Sequence, residues 1–364
     1  MTDTDNARPD DDIDTELGER YYRNDKGLEA RLTGDIVEVI RQFIEKRFQE
    51  GRRPAMRDAH AQDTGCVRAI FRVDPDLAPA LRHGVFGQPG KEYDAWIRFS
   101  NGNSEVLSSR VPDARGMAIK LMGVTGPKLL EDEIETQDFV MANNPVFFVD
   151  DLQRYKDSLV AFHRGGYLRQ FAAIFKLKLR EARTVFKVNA TFATNPLYCR
   201  YWSMTPYRLG ARRNAMTAIK FSVTPRVEAD RGWVSSLGTF FSPGFSLKKE
   251  LEKALAGKEM RFDFYVQRFV DDRTPIEDTI TEWTESVSKP EHVAEIVIPS
   301  QEVDTPARNS FGENLSFNPW HSVAEHKPLG TVNRVRKAIY LEISKYRHQL
   351  NRAPLREPKP QDVA

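Results

Sequence analysis

The stretch Val67-Arg-Ala-Ile-Phe-Arg-Val73 places an apolar side chain at every second position from Val67 to Val73. Successive side chains of a strand point to opposite faces, so this period of two predicts a β-strand with one buried face. Similar segments, bounded by glycine and proline residues, occur at residues 95–100, 116–122, 139–149, 218–223, 261–269 and 293–298. The pattern predicts two blocks of strands.

Helical patterns lie before, between and after these blocks. Asp35 to Gln49 carries apolar residues at helical spacing, and Asp151 to about Phe186 is helical and basic. The basic segment is predicted to be a solvated helix pair packed on the sheet, with a lipid-facing role as the alternative. This arrangement, which contains no nucleotide-binding fingerprint, favours an α+β fold: an antiparallel β-barrel of about eight strands with helical additions.

The two ends of the chain differ in composition from the middle. The acidic composition of residues 1–18 predicts a disordered arm, and the prolines of residues 351–364 predict a loose C-terminal tail. Residues 19–350 contain no linker, so we expect them to form a single domain.

Composition excludes several classes of function. The 364 residues include 54 Lys and Arg and 52 Asp and Glu. This nearly balanced charge argues against a nucleic-acid partner. Cys66 and Cys199 form no paired motif, so a disulfide framework is not expected. No apolar run has the length of a membrane span and the N-terminus lacks an apolar signal region, so we expect a cytoplasmic protein without a transmembrane segment.

Arg336, Tyr340 and Arg347 form one polar line on a predicted helix, at about 0°, 40° and 20° around its axis. An arginine one turn before a tyrosine can donate hydrogen bonds to the phenol oxygen and so favour the phenolate, which can ligate ferric iron. The spacing alone is also typical of an exposed cation beside a half-buried tyrosine.

This pattern, Arg-x-x-x-Tyr followed seven residues later by Arg, resembles the proximal haem segment of catalases and of their smaller catalase-like relatives. The resemblance implies that Tyr340 is the axial ligand, that Arg336 keeps it anionic and that Arg347 holds a haem propionate. Arg57-Asp-Ala-His60 is similar to the catalase Arg-x-x-His, which implies that Arg57 lies near a propionate and His60 above the iron.

Further catalase-like segments follow in the same order. Trp96-Ile-Arg-Phe-Ser100 resembles Val-Arg-Phe-Ser, implying that Arg98 meets a propionate and that Ser100 supports the histidine. Asp113-Ala-Arg-Gly-Met-Ala-Ile-Lys120 is similar to a segment whose acid lies near the substrate channel. The segment 138–148 implies a distal amide at Asn143, with Asn144 left open. Residues 264–267 and 315–319 also match, so the resemblance runs from Arg57 to Arg347.

The resemblance implies a catalase-like haem domain with a buried haem, expected to be haem b. The implied enzyme is a haem peroxidase, a catalase-like oxidoreductase. It would reduce hydrogen peroxide or organic hydroperoxides through a ferryl intermediate on tyrosinate-ligated haem, with His60, Asn143 and Ser100 as catalytic residues.

A small organic electron donor is the expected second substrate. Ala59, where catalases carry a valine, and the altered sequence after Tyr340 favour peroxidase over efficient dismutation. A fatty-acid hydroperoxide isomerase like allene oxide synthase and a non-enzymatic haem-binding protein are the alternatives, and a homo-oligomer remains open. His321 and Glu325 are predicted to form a helix-surface ion pair or cap rather than a zinc site.

Overall fold

The computed structural model describes residues 13–164, 180, 183–184, 192–211, 216–226 and 240–363. Its centre is an antiparallel sheet whose nine strands are β1 (Asp63–Val73), β2 (Glu92–Asn101), β3 (Arg115–Met122), β4 (Thr136–Ala142), β5 (Tyr201–Trp202), β6 (Tyr207–Leu209), β7 (Thr217–Pro225), β8 (Met260–Arg268) and β9 (Glu291–Ile298).

The sheet closes on itself. Strands β1 to β4 pair in sequence, β1 also pairs with β9, and β9 continues through β8 to β7. The short strand β5 pairs with both β4 and β7, which completes the ring, while β6 lies beside the other end of β7. The α+β class and the antiparallel barrel of about eight strands are therefore confirmed.

The barrel interior is apolar and rich in aromatic residues. The alternating residues of β1 are buried as the period of two predicts, and Phe71 is completely inaccessible to solvent. Phe139 contacts Phe221 and Phe264, with ring centroids 5.1 and 5.0 Å apart. Each such side chain contributes about 1.5–3 kcal/mol by its burial, so this cluster is a large part of what holds the barrel closed.

Five helices in the described ranges lie outside the barrel: α1 (Lys26–Gln49), α2 (Leu152–Arg164), α3 (Leu247–Leu255), α4 (Pro306–Asn314) and α5 (Thr331–Asn351). Helices α1, α2 and α5 share a second apolar cluster. Arg334 joins α5 to the N-terminal region through ion pairs of 2.7 Å with Glu19 and Glu29. No helix in the described ranges is both long and apolar enough to cross a membrane.

Two predicted boundaries were wrong. Helix α1 begins nine residues before Asp35 because the Asp25 carboxylate accepts a hydrogen bond from the Leu28 N–H at 2.9 Å and caps the helix. The strand predicted for residues 139–149 ends at Ala142, since the Asn144 amide donates to the Val146 carbonyl at 2.5 Å and turns the chain.

Described residues near both ends of the chain contact the domain. Asp14, which the composition assigns to the acidic arm, is buried and pairs with Arg208 at 3.1 Å. In the predicted tail, the Asp362 carbonyl accepts a hydrogen bond from Arg68 at 3.1 Å. Of the segment 151–186, which is predicted to be a basic helix pair, α2 covers Leu152–Arg164, and residues 165–179, 181–182 and 185–186 lie outside the described residues.

Candidate active site

His60 lies against the outside of the barrel, in the segment that leads into β1. Its backbone N–H donates to the Gly102 carbonyl at 3.1 Å, and its ring nitrogen Nδ1 is 3.0 Å from the Ser100 hydroxyl. Ser100 and Gly116 are opposite each other on β2 and β3, and a Cβ at Gly116 would lie only 2.5 Å from Nδ1 of His60. The imidazole can occupy this position because residue 116 has no side chain.

Burial and positive neighbours keep His60 uncharged at neutral pH. Burial lowers the pKa of His60 to about 4, and the charges of Arg98, Arg336 and Arg57 act in the same direction. A neutral imidazole can accept a proton. Arg336 belongs to α5, so a residue of α5 contributes to this lowering of the pKa of His60.

Helix α5 supplies a phenol and a guanidinium that contact each other. The Arg336 guanidinium donates to the Tyr340 hydroxyl at 3.5 Å and lies 5.4 Å from the tyrosine ring centre. It is held in place by Thr205 at 3.2 Å and Asn333 at 3.1 Å. Burial lowers the pKa of Arg336, but the nearby Tyr340 and Tyr207 phenols have the larger, opposite effect, so the pKa of Arg336 is raised.

The three arginines predicted to meet propionates converge on one carboxylate, Glu313. Arg57 is 3.3 Å from it, Arg98 is 4.0 Å away, and Arg347 also pairs with it. A second carboxylate, Asp63, lies 3.4 Å from Arg98. Burial lowers the pKa of Arg57 and Arg347, and repulsion from Arg98 adds to this effect. Three guanidinium groups facing two carboxylates leave an excess of positive charge.

Sequence reasoning missed Glu313. It is in α4, a helix that the apolar pattern did not predict, just ahead of the catalase-like segment 315–319. No local signal distinguishes this glutamate from the other acidic residues, because its partners are far away in the sequence. Arg57 is 256 residues from it, and Arg347 is 34 residues from it.

The two asparagines left open by the sequence have different environments. The side-chain oxygen of Asn143 accepts the Arg115 backbone N–H at 2.7 Å, and within the described residues its amide nitrogen has no recorded acceptor. Asn144 is buried and uses its amide nitrogen in the turn to Val146. The geometry therefore favours Asn143 as the amide that can donate to a ligand.

Asp113, which the resemblance implies to lie near a substrate channel, is in the loop between β2 and β3. It is buried, its carboxylate accepts the Asn103 N–H at 2.9 Å, and burial raises its pKa. Since Asn103 also binds the backbone of Ala61, Asp113 supports the segment that carries His60.

Helix α2 adds residues that the sequence did not single out. Its His163 is 2.8 Å from the Asp58 carboxylate and stacks on Phe43 of α1, with centroids 3.9 Å apart. Tyr155, two turns earlier, borders the same small cavity as Arg336. Asp58 immediately precedes Ala59 and His60, so α2 holds this segment from the side opposite the barrel.

The prediction for His321 was wrong. His321 is not on a helix surface but buried in a loop, where it lies 2.8 Å from Asp138 and 3.1 Å from Asp132. Glu325 does not pair with it and instead accepts the Gly84 backbone N–H at 2.9 Å. The loop packs across the barrel, which a local sequence pattern cannot reveal.

Glu133, Asp138 and His321 bring potential ligand atoms within 4.8 Å of one another. The Lys120 ammonium, however, is paired with both carboxylates and lies 3.4 Å from the imidazole. A cation already balances these acids, so the arrangement is a buried ionic cluster that attaches the loop before α5 to β3 and β4.

The residues around the His60 region fit a ferric haem. A phenol beside a guanidinium is a donor for ferric iron. The excess positive charge of the arginine cluster would offset part of the charge of two propionates. The Asn143 amide nitrogen and the His60 imidazole would supply polar groups for a bound ligand.

Comparisons with known proteins agree with this architecture. The family model described as Catalase matches residues 14–226, more than half of the 364 residues. A catalase from Latilactobacillus sakei is 28% identical over 148 residues, which are 40% of this chain and 29% of that protein. The protein named cytochrome P450 Tp9025 from Tanacetum parthenium is 35% identical over 112 residues, covering 30% of this chain and 20% of that protein.

Solved structures show the same fold. Catalase A from Saccharomyces cerevisiae superposes with a TM-score of 0.67 at 17% identity, covering 88% of this chain and 67% of that structure. The chain thus spans less than a third of these curated relatives and about two thirds of the solved catalase.

Proposed function

The chain belongs to the catalase family, and from this premise we propose that it is a haem-dependent peroxidase that reduces hydrogen peroxide or organic hydroperoxides. The observations that support the proposal are two contacts: the His60 imidazole lies 3.0 Å from the Ser100 hydroxyl, and the Arg336 guanidinium donates to the Tyr340 hydroxyl at 3.5 Å. When bound, the haem supplies the redox chemistry of peroxide cleavage.

His60 moves the proton. With its pKa near 4 it is uncharged at neutral pH, so it accepts a proton from the bound peroxide and returns it to the departing oxygen, which leaves as water. The Ser100 hydroxyl, 3.0 Å from Nδ1, orients the ring for both transfers. The Asn143 amide nitrogen orients the peroxide.

The remaining residues hold the cofactor. Tyr340 is the proposed iron ligand, and the Arg336 guanidinium donates a hydrogen bond to its phenol oxygen. Arg57, Arg98 and Arg347 would neutralise the haem propionates, whose burial without partners would be costly. Glu313 shares these guanidinium groups, so it also limits the excess charge.

Two pairs of variants test the proposal. In the haem-loaded protein, Tyr340→Phe should abolish the high-spin ferric tyrosinate absorption, whereas Tyr346→Phe, whose ring contacts Arg41 instead, should leave it unchanged. His60→Ala should retain haem and lose most peroxide consumption, while His292→Ala, at a partly exposed pair with Asp74, should not. An unchanged spectrum in Tyr340→Phe would show that Tyr340 is not the iron ligand. An unchanged rate of peroxide consumption in His60→Ala would show that His60 does not transfer the proton.

A further inference from the structure

A groove lies beside the arginine cluster, between the C-terminal end of α1 and the loop after β2. Its floor is apolar, and its cavity volume is about 240 Å³. The apolar lining consists of Ile44, Phe48, Pro54, Ala55, Met56 and Val106. Sites for drug-sized ligands measure about 300–1,000 Å³, so this groove suits one ring with a short substituent rather than a long chain.

The rim of the groove is positively charged. The lining includes Arg47, Arg52 and Arg53 and a single carboxylate, Glu105, which lies 3.3 Å from Arg47 and 2.7 Å from Arg52. Arg53 stacks on the Phe48 ring at 3.8 Å. Three guanidinium groups against one carboxylate favour an anionic ligand, and the stacked Arg53–Phe48 pair offers both a charge and a flat apolar surface.

The groove is next to the proposed haem site. The Ala55 carbonyl, at the groove floor, accepts a hydrogen bond at 3.0 Å from Arg347 of the arginine cluster. Arg57 of the same cluster is two residues further along the chain. A molecule in the groove would therefore lie next to the arginines that are proposed to hold the propionates.

We propose that this groove binds the electron donor of the peroxidase, and that the donor is a small phenol that carries a carboxylate. This inference rests on the proposed function. Each phenol gives up one electron and its hydroxyl proton and becomes a phenoxyl radical. Two phenols and one hydrogen peroxide give two phenoxyl radicals and two water molecules. The carboxylate is held by the arginine rim and takes no part in the reaction.

Equilibrium binding without peroxide tests the site. The probes are 4-hydroxycinnamate and its neutral analogue 4-hydroxycinnamyl alcohol, titrated into the haem-loaded protein by calorimetry. The wild type should bind the carboxylate about tenfold more tightly than the alcohol, and Arg53→Glu should abolish the difference. Arg31→Glu, an exposed change of the same charge earlier in α1, should preserve it. Equal binding of the two probes by the wild type would overturn the proposal.

A gain-of-binding variant covers the case in which Arg53→Glu does not fold. Val106 is 57% exposed at the rim, so Val106→Lys adds a cation without disturbing the core and should strengthen carboxylate binding several-fold. An affinity for 4-hydroxycinnamate that does not rise in Val106→Lys contradicts the site.

Steady-state kinetics separates this inference from the proposed function. In the wild type the KM for 4-hydroxycinnamate should be lower than for the alcohol, and Arg53→Glu should bring the two KM values together. Selective binding without any turnover would leave the site standing and reject the peroxidase. Turnover with equal KM values for both donors would support the peroxidase and reject the site.

Discussion

Substituting Gly116 with alanine is the sharpest test of how His60 is held. The added methyl would lie 2.5 Å from His60 Nδ1 and 2.6 Å from the Ser100 hydroxyl oxygen, so it enters the space of their hydrogen bond. Non-bonded atoms need about 3.5 Å, so the imidazole must move by about 1 Å. Gly116 is not in the left-handed region of backbone conformation, so the effect is steric and not conformational.

A displacement of about 1 Å in a catalytic group can lower a rate by about 100-fold. We therefore expect Gly116→Ala to lose about two orders of magnitude in peroxide consumption and to keep its haem, since Tyr340 and Arg336 are on α5. The assay compares the initial rate of peroxide loss with the haem content measured spectroscopically.

Gly34→Ala is the matched control. It adds the same methyl group within α1, where no atom lies within 4 Å, and replacing a helical glycine should stabilise the fold by about 0.5–1 kcal/mol. A Gly116→Ala protein that consumes peroxide at the wild-type rate would refute either the position of His60 or its role in proton transfer.

Three further outcomes follow from the charges. The pKa of His60 is about 4 in the folded protein and about 6.5 in the unfolded chain, so the imidazole stays neutral on mild acidification. The rate of peroxide consumption should therefore fall near pH 4. A fall in this rate near pH 6.5 would contradict the lowered pKa of His60. The same shift contributes stability above about pH 6.5 that is lost as the pH falls towards 4. Burial and Lys120 oppose the charge of His321, but the hydrogen bonds that His321 donates to Asp132 and Asp138 raise its pKa to about 9. Its stabilisation is therefore present below about pH 6.5 and is lost as the pH rises through 9. Urea unfolding between pH 6 and 10 should show this fall in stability, and the fall should be smaller in His321→Gln. Glu313→Gln should destabilise the haem-free protein by about 3–5 kcal/mol, because it leaves three buried guanidinium groups short of a carboxylate, and added haem should restore part of that loss in a urea titration.

The strands and α1 could be predicted in large part because their apolar periods are local. Strand β1 and the Phe71 face are where the period of two places them. The short strand β5, which closes the barrel, could not be predicted, since two residues carry no periodic signal. The end of β4 was missed because the turn depends on a side-chain hydrogen bond of Asn144.

For the site, the sequence by itself determined the identity and order of the chemical groups: His60 early in the chain, Arg98 and Ser100 on one strand, and Arg336 and Tyr340 one helical turn apart. Their spacing along single elements is short, so a period or a motif is enough to relate them. Only the tertiary structure decided that Arg57, Arg98 and Arg347 share Glu313, that His60 rests on Gly116 and that Asp58 pairs with His163. These contacts join segments far apart in the chain, and they depend on the register of β2 with β3 and on the packing of three helices, which no local pattern specifies.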